Sequence, residues 1–544
     1  MSSHSSARRH FLGRAAGLAA MGTALPLGLN LSALTRAAAQ SSGAGYRALV
    51  CLFFNGGNDA FNTVLATDSG SWSSYLTHRQ PTDGSSSIAL MAPGVAANPA
   101  ATGNTPERLG GVLPIAHAGR AVHAGRQFAL HPALTRTQQL YQAGRVAVLA
   151  NVGPLTRPTT KADYESPSAS KPAKLFSHND QQSTWQTFQP EGAGTGWGGR
   201  MGDARKALNG AGRNAADMDL IQRMFTTMTP SNAGPWLAGR EVLPYQSSVI
   251  DIQGLGSGGR LYGSTALQQG VASMLGALDA QGQPVLTADS LLQADLQHVT
   301  QRALQASQLL SAYLPALGQG PWSSTGVTDV NSDPLLKYTS PVDGSLKTSS
   351  LALQLQMVAR LIDTNRTASL GIGRQFFMVN IGGFDTHDNQ ISEQAERMAQ
   401  IDHALAYFDT VLGGMPGGDL RSQVTAFTAS EFGRTFTSNG DGTDHGWGAH
   451  HFIMGGAVNG TEVYGTFPAY STANAQGVFS SPDQIQNGVL IPSTSVDHLA
   501  FTLGRWMGVP DGAMLGAYDG DPDAILPNLR RFNSSGHDLG FMRT

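Results

Sequence analysis

Two short runs in the C-terminal half hold residue types able to bind a cation or move a proton: "FDTHDNQ" at 384–390 and "DHGWGAHH" at 444–451. The first sets Asp385 two residues before His387, a spacing that turns both side chains to one side of an extended segment. The second sets Asp444 beside His445 and ends in His450 and His451. Imidazole mixed with carboxylate is the usual donor set for zinc, manganese or iron. The competing reading is that Asp-Thr-His and Asp-His-Gly simply make turns, which Asp and Gly favour. Between the two runs, His403 falls off the apolar stripe of its helix and reads as a solvated surface residue.

Such groups act together only if a scaffold brings them to one place. The segment "YRALVCLFFNGGNDAFNTV" from Tyr46 is a continuous apolar run ending in Gly-Gly-Asn-Asp, the pattern of a strand buried on both faces. "RVAVLANVG" at 145–153 and "RQFFMVNIGGFDTH" from Arg374 read the same way. Met398, Ile401, Leu405, Phe408 and Leu412 step by three and four, marking a helix before "QVTAFTASEFGR". Alternating strands and helices imply an α/β fold with a mainly parallel central sheet, whose ligands bind at the C-terminal edge. Asp59, then Asp385 with His387, then Glu431 all follow such strands.

The middle of the chain reads differently. Residues 287–314 carry Leu292, Leu296, Val299, Ala303, Ala306, Leu310 and Tyr313 on one face of a long helix with no adjacent strand. We expect a mostly helical insertion over about 205–345. Residues 66–110 and 315–349, rich in Ser, Thr, Gly, Pro and Asn, are expected to be loops.

A chain of 544 residues with 41% hydrophobic content can bury a large core. Its formal charge of −3, with Lys and Arg scattered, disfavours nucleic acid as a partner. Residues 1–39 contain paired Arg8 and Arg9, a mildly apolar stretch and small residues at 37–39, and resemble a twin-arginine export signal. Its removal leaves 40–544 without an apolar run long enough for a permanent membrane span. A periplasmic or secreted location, reached through the twin-arginine translocase, is therefore expected. The single cysteine, Cys51, excludes an internal disulfide and reads as a buried apolar thiol.

Taken in order and spacing, "LFFNGGNDAFN", "LFSHNDQQSTWQT", "NIGGFDTH", "TASEFGRT" and "DHGWGAHHFIMGGAVNG" resemble the exported proteins catalogued as domain of unknown function 1501. That family in turn looks like a distant member of the alkaline phosphatase and sulfatase superfamily. The resemblance implies a three-layer sandwich of alkaline phosphatase type with a two-metal hydrolytic site. It implies Asp59 as the bridging carboxylate and Ser177, at a helix start, as the nucleophile. It further implies Asp385, His387, Glu431 and a late histidine, His445 or His450, as metal ligands, with Asp444 beside them. Arg434 is placed to contact a substrate anion through its planar fork, or else to pair with Glu431. His178 is available as an acid or base. Two departures stand out: Asp385 and His387 are two apart rather than four, and Asp-His-Gly is displaced to a later loop.

These readings converge on an exported hydrolase of a small-molecule or glycan ester, phosphate or sulfate, using divalent metal ions such as zinc, manganese, magnesium or calcium. The alternative is a non-catalytic envelope or glycan-binding protein that keeps the same fold. Asp497 and His498, at the start of an amphipathic helix, are read as structural.

Overall fold

The computed structural model describes residues 45–80, 86–168, 171–252, 291–532 and 536–543. The expected leader at 1–39 lies outside the described residues, as does 253–290 within the expected insertion.

The first strand, β1 (Arg47–Phe54), is the apolar run read from the sequence. Its residues 48–54 are at most 1% exposed, so both faces are covered, as strand periodicity alone does not require. The other strands of its sheet are β2 (Val146–Gly153), β3 (Thr227–Thr229), β4 (Tyr245–Gln246), β5 (Arg374–Ile381), β6 (Val424–Ser430), β7 (Ala449–Met454), β8 (Val463–Tyr464) and β9 (Thr494–Ser495). They lie in the order β8-β2-β7-β6-β1-β5-β3-β4, with β9 also paired to β2. Strand β7 runs antiparallel to β6 and β2, and the remaining pairings are parallel. The result is a mixed, mostly parallel sheet of an α/β fold.

Longer helices flank this sheet: α1 (Ser69–Arg79), α2 (His178–Thr187), α3 (Trp197–Arg205), α4 (Leu291–Tyr313), α5 (Ser350–Thr367), α6 (Gln390–Gly413) and α7 (Val496–Met507). Leu49, Cys51 and Phe53 of β1 share one apolar cluster with Trp185 of α2, Trp197 and Met201 of α3, and Leu499 and Leu503 of α7. Trp185 meets Phe53 edge-on at 5.8 Å. Cys51 is wholly buried there and burial pushes its thiol pKa up, in keeping with an unreactive core residue.

The register fixes where the loops emerge. Phe54 pairs with Ile381 of β5 and with Ser430 of β6, so the three central strands end in line. Segments 55–59, 382–387 and 431–434 therefore leave the same edge. That is the edge at which parallel sheets bind ligands.

Four expectations are corrected. The stretch 66–110, expected as loop, contains α1, whose Asp68 caps the backbone of Ser71 and whose Tyr75 and Arg79 turn into the core. A Ser-rich helix has little apolar periodicity to betray it. The stretch 315–349 contains a two-stranded hairpin, Lys337–Thr339 with Leu346–Thr348. His403, expected at the surface, is 5% exposed, because Tyr338 from that hairpin and Tyr407 flank its ring. The segment 205–345 is not helix alone, since it supplies β3 and β4 to the edge of the sheet. In α4, Ala306 and Leu310 are buried while Val299 and Tyr313 are exposed, so its apolar face is only partly covered. Among the described residues no helix is long and apolar enough to cross a membrane.

Candidate metal centre

The loop after β1 makes the first contact of the site. Gly56 has φ of +120°, and a Cβ there would lie 2.4 Å from the backbone nitrogen of Asp385. Only glycine lets the two loops approach this closely. The Gly56 N–H donates to Glu431 Oε1 at 2.8 Å, which ties the loop after β1 to the loop after β6.

Around this junction the ends of three elements bring together His178, Asp385, His387 and His445. His178 opens α2, Asp385 and His387 follow β5, and His445 sits in the loop before β7. The Nε2 atoms of His387 and His445 are 3.2 Å apart, and each lies 3.1 Å from Asp385 Oδ1. His178 Nε2 is 3.5 Å from Asp385 Oδ2. Donor atoms of His178, Asp385 and His445 all fall within 4.8 Å of one another, a group that His387 borders without joining.

The opposite nitrogens of His178 and His445 are held by acceptors, and that of His387 lies near one. His445 Nδ1 is 2.8 Å from the carbonyl oxygen of Phe176, which cannot donate, so this nitrogen bears the proton. His178 Nδ1 donates to the buried carboxylate of Glu431 at 2.9 Å. His387 Nδ1 is 3.3 Å from Asp444 Oδ1. In the neutral rings of His178 and His445 the protons sit on Nδ1, so two Nε2 lone pairs and a carboxylate oxygen face one another, with His387 Nε2 beside them. Lone pairs at such separations repel unless positive charge lies among them. Two nitrogens bound to one tetrahedral ion at about 2.0–2.1 Å are about 3.3 Å apart. Imidazoles fixed through the second nitrogen by carboxylates or carbonyls are the usual arrangement around a metal.

The surroundings of each group shift its titration. The hydrogen bond to Glu431 raises the His178 pKa above the ordinary histidine value, against the opposing effect of burial. Burial lowers that of His445, and the Phe176 carbonyl only partly offsets it. Burial by itself would raise the Asp385 carboxyl, but Arg434 and the neighbouring histidines outweigh it and hold the pKa below the usual value. Phe432 walls one side, its ring centroid 4.8 Å from those of His178 and His445. The other side is open, with the Asp385 side chain 47% exposed.

Other residues singled out in the sequence stand apart from this cluster. Asp59 is buried and paired with Arg79, accepting from both Nη1 and Nη2, the latter at 3.0 Å. It also accepts from Gln390 Nε2 at 2.6 Å and from the Phe61 N–H at 3.0 Å. Its oxygens are thus occupied by donors, which leaves no coordination position for a bridging role. Arg434 is wholly buried and pairs with Asp385 rather than Glu431. Its nitrogens also donate to the carbonyls of Gly56, Gly57, Phe384 and Thr443. It positions Asp385 and the converging loops instead of reaching a substrate. His450 points into the core, accepting from the Asn151 N–H at 3.0 Å and stacking on Phe467, and burial pushes its pKa down to about 3. It lies within β7, whose residues are all buried, whereas His445 lies in the loop before that strand.

Glu431 and Asp444 lie one step outside the ring of donors, each holding a histidine. Ser177 is the N-cap residue of α2 and its hydroxyl donates to Asp180 at 2.9 Å. The residue before it, Phe176, has φ of +74°, the turn that presents its carbonyl to His445. His178 is the member of the cluster that spacing alone did not single out. The signal available was its place at a helix start beside a polar loop, which equally suits a cap.

No curated protein matches the chain. Residues 280–515, which hold Asp385, His387, Glu431, Arg434 and His445, match the family model described as Protein of unknown function (DUF1501), in support of the resemblance drawn from the motifs.

Proposed function

We propose that the chain is an exported hydrolase of a phosphate or sulfate ester that uses one divalent cation held by His178, Asp385, His387 and His445. A single observation carries this reading: His178 and His445 are fastened at Nδ1 to Glu431 and to the Phe176 carbonyl, and together with His387 they turn their Nε2 atoms toward Asp385. A divalent cation supplies Lewis acidity toward the ester oxygens and lowers the pKa of a nearby water. The chain's own residues orient the donors, wall the site with Phe432, and keep Asp385 ionised through Arg434. The alkaline phosphatase-like form of the fold is part of this proposal, supported by the mostly parallel sheet and by the site's position at its C-terminal edge. The paired arginines at 8 and 9 support export and a periplasmic or secreted location.

A second reading is favoured by the pairing of Asp59 with Arg79, which removes the bridging carboxylate of a two-metal site. Under it, the chain holds a cation while binding an envelope partner or glycan without turnover. Assays of aryl phosphate and aryl sulfate hydrolysis by the metal-loaded protein separate the two. Turnover that disappears in Asp385→Ala supports the hydrolase, and metal-replete protein without turnover on either supports the binder.

A further inference from the structure

Far from the histidine cluster, helix α6, the hairpin at 337–348 and the segment 135–145 line an open cleft of about 510 Å³. Gln390, at the start of α6, bonds to Asp59 near the C-terminal edge of the sheet. His403 lies 13 residues further on, about 20 Å along the helix axis. Arg145, immediately before β2, marks the cleft as belonging to the opposite, N-terminal edge.

The lining contains three permanent cations, Arg136, Arg145 and Lys337, against one carboxylate, Asp409. That carboxylate is already taken, lying 2.9 Å from Arg145 Nη1 and 3.7 Å from an Arg421 nitrogen. Arg136 is attracted to the buried Asp402 but makes no side-chain hydrogen bond or close ion pair among the described residues, and Lys337 has only a 3.4 Å contact with Thr348. One buried donor of the lining, Arg145 Nε, has no partner, and His403 Nδ1 is unpaired in a ring that bonds to the Leu335 backbone. An unpaired buried N–H costs about 1–3 kcal/mol in general, so groups of this kind are usually met by a ligand or water. His403 is itself 95% buried, from its 5% exposure. Leu140, Pro334 and Val411 complete an apolar floor.

We propose that this cleft binds a small organic anion carrying at least two negative charges on an apolar body, at a site separate from the metal centre. Arg136 and Lys337 meet the anionic group, Arg145 Nε supplies a fixed donor, and the apolar floor takes the body.

The test uses phenylphosphonate, a dianion with an aryl body that contains no ester bond, titrated calorimetrically into the full-length, metal-loaded protein. Arg136 is exposed and Lys337 half-exposed, so Arg136→Gln/Lys337→Gln keeps the fold, verified by an unchanged melting curve. Binding is expected to saturate, to weaken roughly tenfold or more in that variant, and to survive in the charge-preserving Arg136→Lys/Lys337→Arg. It is also expected to survive in His387→Ala/His445→Ala, which dismantles the metal centre. Saturable binding that is unchanged in Arg136→Gln/Lys337→Gln, binding lost only in the metal-centre variant, or no saturable binding would each overturn the proposal.

Discussion

His178 gives its Nδ1–H to the buried carboxylate of Glu431 at 2.9 Å, joining residues 253 positions apart in sequence. Glu431 also accepts from the Gly56 N–H and from Gln182, so its position is fixed by the loop after β1 and by α2 as well. A carboxylate so anchored fixes the ring's tautomer and strengthens Nε2 as a donor. Glu431→Gln should leave the fold intact and weaken cation affinity by about 10- to 100-fold. Metal titration with a competing chelator reads this directly. Unchanged affinity would mean that His178 is not a ligand.

Asp59 and Arg79 form a buried pair rather than part of the cation site. Arg79→Ala leaves an uncompensated carboxylate in the core and should cost about 3–5 kcal/mol in stability. Urea unfolding measures that loss. Asp59→Asn keeps the acceptor for the Phe61 N–H and should leave metal content unchanged, whereas a bridging ligand would lose metal on this change.

Gly56→Ala should disrupt the centre without touching any donor. The alanine methyl would meet the Asp385 backbone at 2.4 Å, from a φ of +120° that L-residues rarely adopt. Backbone strain of this kind costs about 1–3 kcal/mol, and the shift of Asp385 away from His445 should lower cation affinity. A crystal structure of the variant with Asp385 unmoved would contradict this.

Stability should depend on pH through buried groups remote from the metal centre. Burial pushes the pKa values of His131, His450 and His451 down to about 3 in the fold. An unfolded histidine titrates near about 6.5. Between these values the unfolded chain binds more protons, so stability is full above the upper value and is lost as pH falls. Asp497 acts in the opposite sense, since burial raises its carboxyl to about 7. The folded state then holds a proton that the unfolded state releases above about 3.9, so its contribution declines as pH rises toward 7. Asp497→Asn should therefore stabilise the protein at pH 8 by up to about 4 kcal/mol and have little effect at pH 4. Denaturant midpoints at the two pH values test both signs.

The sheet was legible because its central strands are long apolar runs with polar residues at their ends, and the line-up of Phe54, Ile381 and Ser430 brings those ends together. Asp385, His387 and His445 were legible as donors from residue type and neighbourhood. Which carboxylates join the histidines was not, because that depends on side-chain pairing across hundreds of residues. Asp59 meets Arg79 from a helix too poor in apolar residues to be recognised, and Glu431 is drawn toward Gly56 and His178. His450 and His445 are five residues apart, yet a strand begins between them and turns one ring into the core. His403 was misplaced for a related reason, since the hairpin that covers it has no strong pattern of its own.

The most direct test is the metal stoichiometry of chelator-dialysed protein reloaded with zinc or manganese, compared with His387→Ala/His445→Ala. The geometry predicts about one tightly bound ion per chain, lost in the double variant while the far-ultraviolet circular dichroism stays the same. Protein that takes up no ion, or a double variant that retains the same tightly bound ion, would contradict a metal centre at this site.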